Sequence, residues 1–163
     1  MRGAALKRVP LDHESRMRDN DHQALRLWLR ILTCTNLIES AVRARLRASF
    51  NCTLPRFDLM AQLERHPEGL KMGELSRRLM VTGGNVTGIT GQLVKEGLVT
   101  REPLLNDRRA NLVKLTPAGS KAFNRMAQEH EQWVSRLFSH LPERDRRQLH
   151  LLLGALKTGL TNH

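Results

Sequence analysis

Residues 71–116 read KMGELSRRLMVTGGNVTGITGQLVKEGLVTREPLLNDRRANLVKLT. The apolar spacing predicts a short helix over 72–80, followed by a turn and a second helix. Thr82 or Gly83 is an acceptable N-cap residue for the second helix. Gly97 supplies the left-handed backbone turn at which this helix ends. The stretch therefore predicts two consecutive helices joined by a tight turn.

The second half of this stretch has the pattern of a β-hairpin. Residues 98–102 and 111–115 are predicted strands, because apolar and polar residues alternate there. The loop between them carries Asp107, Arg108 and Arg109 at its tip. A helix pair followed by a hairpin of this kind predicts a winged helix-turn-helix, in which the second helix enters a DNA groove.

The second helix has an outer face with several glycines. An exposed glycine inside a helix costs about 1 kcal/mol of stability relative to alanine, so repeated outer glycines indicate close approach to a partner. The wall of a DNA major groove is such a partner, and Asn, Gln, Thr and Lys are side chains that contact bases or phosphates there. A flexible helix that faces solvent is the alternative. The outer residues are Gly84, Gly88, Gly91 and Lys95, flanked by Asn85, Thr87 and Gln92.

The arginines of the hairpin suit DNA in two ways. Arginine fits a narrow minor groove, where negative potential is concentrated, and its planar guanidinium also binds phosphate. Asp107 does not favour DNA directly, and we interpret it as a residue that orients one of the arginines. A solvated charge cluster is the alternative for this tip.

Long helices are predicted on both sides of the winged region. Residues 21–50 contain no Pro or Gly and carry two apolar stripes on nearly opposite sides. Thr116 and Pro117 begin another helix, and Pro142 begins a last, leucine-rich one. A two-sided helix in so short a chain lacks partners within one monomer. These helices are therefore predicted to form a dimerisation bundle, with an internal four-helix bundle as the alternative.

The expected fold class is mainly α with a small β-wing: a winged helix-turn-helix flanked by long terminal helices that form a dimerisation bundle. Residues 1–20 are charged and aperiodic and are predicted to be a flexible arm. Residues 21–53 and 117–163 are assigned to dimerisation, and residues 54–116 to DNA binding.

Composition sets wide bounds on function. The 163 residues carry a formal net charge of +11, which favours a polyanionic partner or an anionic ligand. The basic residues are spread along the chain, so the argument for DNA rests on pattern. No apolar run approaches the roughly 20 residues of a membrane span, and nothing resembles a signal peptide. We expect a cytoplasmic protein without a membrane partner.

Residue patterns also argue against catalysis and metal binding. The chain has no nucleophile elbow, no HExxH sequence and no phosphate-binding loop, so no enzyme, metal or cofactor is predicted. Cys34 and Cys52 lack the spacing of metal ligands. Cys34 lies on an apolar stripe and is predicted to be buried, whereas Cys52 beside a helix end is predicted to be more exposed. A thiol-responsive regulator is an alternative.

At this point the chain resembles the MarR family of winged-helix regulators. The likeness rests on GELSRRLMVTGGNVTGIT, EGLVTR and NDRRANLVKLTPAG, and it extends over nearly the whole chain. The resemblance implies a homodimer whose two recognition helices enter successive major grooves of a pseudo-palindromic operator. It also implies a repressor that a small ligand releases from double-stranded DNA.

The resemblance and the residue pattern together give a set of DNA-contact candidates. The wing arginine of the family maps to Arg109, with Asp107 as its orienting partner. A winged-helix module for protein or RNA interaction is the rival interpretation. The candidates are Ser76, Arg77, Thr82, Asn85, Thr87, Thr90, Gln92, Lys95, Asp107, Arg108 and Arg109.

A narrower resemblance concerns the effector. The segments LRLWLRILTCTNLIE, TLPRFDLMAQLER and MAQEHEQWV are similar to the branch that controls catabolism of aromatic acids, including hydroxycinnamates sensed as CoA thioesters. This implies an aromatic acid or an aromatic acyl-CoA as effector. Ordinary core packing explains the same aromatic side chains. The candidates are Trp28, Phe57, Met60, Met126, His130 and Trp133 for an apolar cavity, with Arg26, Arg30 or Arg56 for the anion.

Overall fold

The computed structural model describes residues 22–79, 83–104 and 107–161, with the backbone alone for 107–110. The predicted arm, 1–20, lies outside these residues. The predicted mainly helical fold with a small wing is confirmed. The helices are α1 (Gln23–Phe50), α2 (Leu54–Glu64), α3 (Met72–Leu79), α4 (Gly83–Lys95), α5 (Pro117–Leu137) and α6 (Glu143–Thr161). The strands are β1 (Leu70–Lys71), β2 (Val99–Leu104) and β3 (Asp107–Leu115).

The described residues divide after Ala41 into two compact units. The first contains α1 up to Ala41, where none of the described residues is buried and several side chains of the two predicted apolar stripes are exposed. Leu27, Trp28 and Leu37 are each more than half exposed. Cys34 is exposed as well, so its predicted burial is wrong. The reason is that no side chain among the described residues covers this part of the stripe.

The core of the second unit forms where α2, α3 and α4 meet the sheet and α5. Removing apolar area from water contributes about 25 cal/mol per Å², so complete burial of several Leu and Val side chains holds these short elements together. Cys52 also belongs to this unit and is buried, because it lies in the tight turn between α1 and α2. Its predicted exposure is therefore wrong. The fully buried core side chains include Leu46, Leu59, Met60, Leu63, Leu75, Val86, Leu93, Val99 and Val113.

The sheet has three antiparallel strands in the order β1-β3-β2. The sequence did not predict β1, since two residues are too few to show an alternating pattern. Leu70 of β1 pairs with Val113 of β3, and both are buried. Gly69 makes this approach possible, because its backbone has φ +93 and a Cβ there would lie 2.7 Å from Cγ of Lys114.

The wing differs from its predicted form. β3 begins at Asp107, which pairs with Leu104, and the register shifts between Pro103 and Leu104. The backbone of Asp107, Arg108 and Arg109 therefore belongs to the strand that leaves the tip, and their predicted place in the loop is wrong. Hairpin pairing continues past the polar residues because backbone hydrogen bonds do not depend on the side chains.

The start of α5 is locked to the end of the winged region. The predicted N-cap is confirmed: the Thr116 hydroxyl accepts a hydrogen bond from the Gly119 N–H at 2.9 Å. The same hydroxyl donates to the Gly97 carbonyl at 2.7 Å. A Cβ on Gly119 would overlap the carbonyl oxygen of Leu98, so the helix packs directly on the backbone.

At the other end of the second unit, α6 has no buried residue. Leu151, Leu152 and Leu160 are 71%, 62% and 70% exposed. None of the helices in the described ranges combines the length with the apolar composition that a membrane span requires. Leu152, Leu153, Leu156 and Leu160 share one face of α6, and no described residue of the chain buries them.

We predict that Gly119→Ala lowers the free energy of unfolding by about 1–3 kcal/mol, because the added methyl forces α5 away from Leu98. Urea denaturation measures the change. Gly73→Ala is the matched control, since a Cβ there meets nothing within 4 Å and stability should not fall. Equal losses in the two variants would contradict the close packing of α5.

Candidate nucleic-acid interface

The predicted helix pair is formed by α3 and α4. Leu75 of α3 and Val86 and Leu93 of α4 are fully buried, so each helix is held by one apolar face. Ser76 is half-buried, and its hydroxyl donates to the Met72 carbonyl at 3.3 Å. It lies 3.8 Å from the place where a Cβ on Gly83 would be, next to the start of α4.

The other DNA-contact candidate of α3 is also accessible. Arg77 is exposed, and the neighbouring Arg78 is paired with Glu74 at 2.8 Å. Thr82, which was predicted to cap the second helix or to contact DNA, lies outside the described residues. Within the described part of the chain, α4 begins at Gly83.

The outer face of α4 makes few packing contacts with the described part of the chain. A Cβ built on Gly84, Gly88 or Gly91 meets nothing within 4 Å, so packing in this chain does not require a glycine at any of these positions. The polar candidates Asn85, Thr87, Gln92 and Lys95 are all exposed. Thr87 also donates a hydrogen bond to the Gly83 carbonyl at 2.9 Å. The structure thus brings these residues together on one accessible helix surface.

Thr90 is the exception among the predicted base-contacting residues. It is fully buried with 0% exposure, and its hydroxyl has no hydrogen-bond partner. At 100° per residue it falls beside Val86 and Leu93 on the inner face of α4. The prediction that Thr90 contacts DNA, which the family resemblance implied, is therefore wrong, because its side chain lies on the buried face of α4.

An ion pair that the sequence did not predict holds the far end of α4. Arg56 of α2 pairs with Glu96, which follows the last residue of α4. The Arg56 side chain is 17% exposed, and its Nε is buried without a hydrogen-bond partner. The two residues lie 40 positions apart, and no local pattern connects them. This pair fixes the carboxyl end of α4 relative to α2.

Cys52 lies next to this ion pair. Burial raises the pKa of the Cys52 thiol, and the positive charge of Arg56 opposes that rise. A raised thiol pKa leaves little thiolate at neutral pH, and the thiolate is the form that reacts with oxidants. The environment of Cys52 therefore does not favour a thiol sensor at this position.

Most apolar effector candidates belong to the core of the second unit. Phe57, Met60, Met126 and Trp133 are buried. The Phe57 ring lies 4.9 Å from the His130 ring, and desolvation lowers the pKa of His130. These contacts agree with ordinary core packing, which was the alternative to an effector-binding cavity for these aromatic residues.

The remaining effector candidates are divided between the two units. Arg26, Trp28 and Arg30 lie in the first unit, where Trp28 is 55% exposed. Arg56 lies in the second unit and is paired with Glu96. Effector binding by any of these residues stays a prediction.

Comparisons with known sequences agree with this architecture. A model described as the MarR family matches residues 52–110. The transcriptional activatory protein BadR of Rhodopseudomonas palustris is 30% identical over 126 residues, covering 76% of this chain and 70% of the relative. The HTH-type transcriptional regulator PecS of Dickeya dadantii is 26% identical, and the match covers 71% of each chain.

Solved structures give the same result for the fold. A MarR family transcriptional regulator from Silicibacter pomeroyi superposes with a TM-score of 0.74 at 32% identity, covering 87% of this chain and 99% of that chain. A MarR family regulator from Streptomyces coelicolor, solved in complex with DNA, also has a TM-score of 0.74. Its identity is 22%, with coverage of 89% and 92%, so this second likeness concerns the fold alone.

The fold and its exposed helix pair define a winged-helix transcriptional regulator. On the sequence and structural matches together, the chain belongs to the MarR family of DNA-binding regulators. The named relatives are transcriptional regulators and not enzymes, in agreement with the expectation from the sequence.

We predict that Thr90→Val raises the free energy of unfolding by about 1 kcal/mol, because it removes a buried hydroxyl that has no partner. Affinity for a DNA duplex should not change. Thr87→Val is the matched control: it alters the exposed face one turn away and should weaken DNA binding with little effect on stability. If Thr90→Val weakens DNA binding as much as Thr87→Val does, the buried placement of Thr90 is wrong.

Proposed function

We propose that the protein is a homodimeric repressor that binds a pseudo-palindromic operator through α4 and the wing, and that an aromatic acid or aromatic acyl-CoA releases it. The observation that carries the DNA-binding part is the bare, glycine-lined outer face of α4. Double-stranded DNA is the partner, and the family assignment supports this function.

The outer glycines support groove binding because the chain itself gives them no packing role. A helix with Gly84, Gly88 and Gly91 on its surface is less stable than one with alanine at the same positions, by up to about 1 kcal/mol at each. Their small volume lets the backbone of α4 approach a groove wall. Asn85 and Gln92 beside them have the amide groups that pair bidentately with adenine.

The wing is proposed to add contacts outside the major groove. Arg109 is the residue assigned to the minor groove, Asp107 is assigned to orient it, and Arg108 is assigned to phosphate. Their position in β3, directly after the tip of the hairpin, supports this assignment. Ser76 and Arg77 of α3 are proposed to contact the DNA backbone near the start of α4.

Dimerisation is proposed through α1 and α6. Both helices carry large exposed leucines, including Leu27 at 56% and Leu152 at 62%. Large exposed apolar patches mark interaction sites in water-soluble proteins, and we interpret the leucines of each helix in this way. Two copies would bring two α4 helices to one operator, with half-sites about one helical turn apart.

Repression and release by an aromatic ligand rest on the family resemblance. A ligand releases DNA only if it binds more tightly to a dimer whose recognition helices are wrongly spaced. The relative from Rhodopseudomonas palustris is named as an activatory protein. Transcription from the bound promoter, measured with and without the protein, decides the direction of regulation.

The main experiment measures binding of the full chain to the duplex upstream of its own coding sequence. We expect sequence-dependent binding that weakens steeply with salt, because phosphate contacts release counterions. Gly88→Ala should raise the free energy of unfolding by up to about 1 kcal/mol and weaken binding about tenfold, since the methyl separates α4 from the groove.

Two further variants make this result specific. Gly73→Ala is the control, because its position is open and it lies on α3, away from the outer face of α4. Arg109→Ala should lower both the affinity and the salt dependence. If Gly88→Ala binds the duplex as tightly as the wild-type protein, the outer face of α4 does not lie in the DNA groove. If the affinity is the same for duplexes of unrelated sequence, the winged-helix interaction module is the better interpretation.

The dimer proposal predicts the effect of one charge on α6. Leu156→Glu should shift the protein toward monomer in size-exclusion chromatography with light scattering, because it places a carboxylate on the leucine-rich face. DNA affinity should fall with it. Thr158→Glu is the control, since residue 158 lies on the opposite side of the helix. A dimer that survives Leu156→Glu unchanged would contradict this interface.

A further inference from the structure

The pairing between β2 and β3 becomes irregular near the tip of the wing. Pro103 of β2 pairs with Asn111 of β3, in register with the four pairs that precede it. The next residue, Leu104, pairs with Asp107, although the same register would place Ala110 opposite it. A β-bulge of this kind inserts extra residues into one of two paired strands. The residues of β3 that are left without a partner on β2 are Arg108, Arg109 and Ala110, which we call the wing bulge.

Pro103 is the last residue of β2 before the register shifts. The strand order β1-β3-β2 makes β2 an edge strand, and Pro103 is exposed there. A proline has no N–H to donate to a ladder, and its ring holds φ at about −65°, whereas an antiparallel strand needs about −140°. Prolines in sheets are accordingly confined to edge strands and bulges. The position of Pro103 therefore gives a physical reason for the register shift at Leu104.

The wing bulge changes what β3 can offer to DNA. In a regular strand neighbouring side chains alternate between the two faces of the sheet, so Arg108 and Arg109 would lie on opposite faces. A bulge interrupts this alternation and redirects side chains, which allows both arginines to approach the same DNA backbone. It also leaves backbone N–H groups without a ladder acceptor on β2, and backbone N–H groups donate hydrogen bonds to phosphate oxygens in protein–DNA complexes. Two cationic residues and these backbone donors therefore occur within three consecutive positions.

We propose that Pro103 is a positioning residue for DNA binding. It keeps the wing bulge out of the β-ladder, so that Arg109 reaches the minor groove while Arg108 and the N–H groups of the bulge bind a phosphate beside it. This rests on the proposed function, in which the wing contacts DNA outside the major groove. It goes beyond that function, because it assigns a role to a residue that has neither a charge nor a side-chain hydrogen-bonding group. Pro103 acts through the two arginines and does not itself touch DNA.

The first test measures the strand register by NMR in the full chain without DNA. In the wild-type protein we expect a cross-strand nuclear Overhauser effect between backbone protons of Leu104 and Asp107, and none between Leu104 and Ala110. Pro103→Val should reverse this pattern, because valine has an N–H for the ladder and favours extended backbone. A Leu104–Ala110 contact in the wild-type protein would overturn the bulge. A Leu104–Asp107 contact that persists in Pro103→Val would overturn the role of Pro103.

The second test measures affinity for the duplex upstream of the coding sequence over a range of salt concentrations. We expect Pro103→Val to weaken binding about tenfold and to lower the salt slope by about one, although both arginines are still present. A double-mutant cycle shows whether this loss passes through the wing. Arg109→Ala should weaken binding about tenfold in the wild-type protein and less than about twofold in Pro103→Val. Equal losses in the two backgrounds would show that Pro103 does not act through Arg109, and would overturn the proposal.

Pro67→Val is the matched control. It makes the same replacement at another exposed proline, in the turn between α2 and β1 and outside the wing. The salt slope should be unchanged, and duplex affinity should change less than about twofold. Equal losses from Pro67→Val and Pro103→Val would assign the effect to general destabilisation and overturn the positioning role. Failure of the wild-type protein to bind any duplex would reject the proposed function together with the DNA role of Pro103, and would leave the measured register standing.

Discussion

The winged region depends on the complete burial of one face of α4. Val86 and Leu93 have no exposed surface, and Ile89 is 9% exposed. Each large side chain that leaves water contributes about 1.5–3 kcal/mol. Because this inner face supplies the stability, the outer face can carry three glycines and several polar side chains without loss of the fold. The separation of the two faces is what makes α4 suited to contact another molecule.

Two neighbouring contacts hold the carboxyl end of α4 in place. Arg56 pairs with Glu96 at its carboxyl end, and Thr116 bonds the Gly97 carbonyl just beyond it. A helix with an uncovered glycine face would otherwise fray, since glycine has the largest backbone entropy to lose. The two contacts come from α2 and from the start of α5, so the orientation of α4 depends on elements well outside the helix pair. A change in either contact therefore alters the orientation of α4.

Much of this architecture could be predicted from local patterns. The apolar spacing, Gly97 and the Thr116–Pro117 cap predicted the helix order and the hairpin, because each of these signals acts within a few residues. The features that were missed depend on contacts between distant residues. β1 exists only because Leu70 reaches Val113, and the Arg56–Glu96 pair joins positions 40 residues apart. Thr90 is a different case, because helical periodicity alone already places it on the inner face of α4. The resemblance to the family had nevertheless assigned it to DNA contact.

The cysteines show the limit of a prediction made for one chain. Cys34 lies on an apolar stripe, yet it is exposed, while Cys52 beside a helix end is buried. Amphipathic spacing identifies the helix face that must be buried. It does not show whether that face packs within the same chain or against a second molecule. The same argument applies to α6, where Leu151 and Leu160 are mostly exposed. Helices with this much apolar surface in water are unfavourable unless a second molecule covers them. In the proposed dimer, a change in the packing of these helices would alter the distance between the two α4 helices.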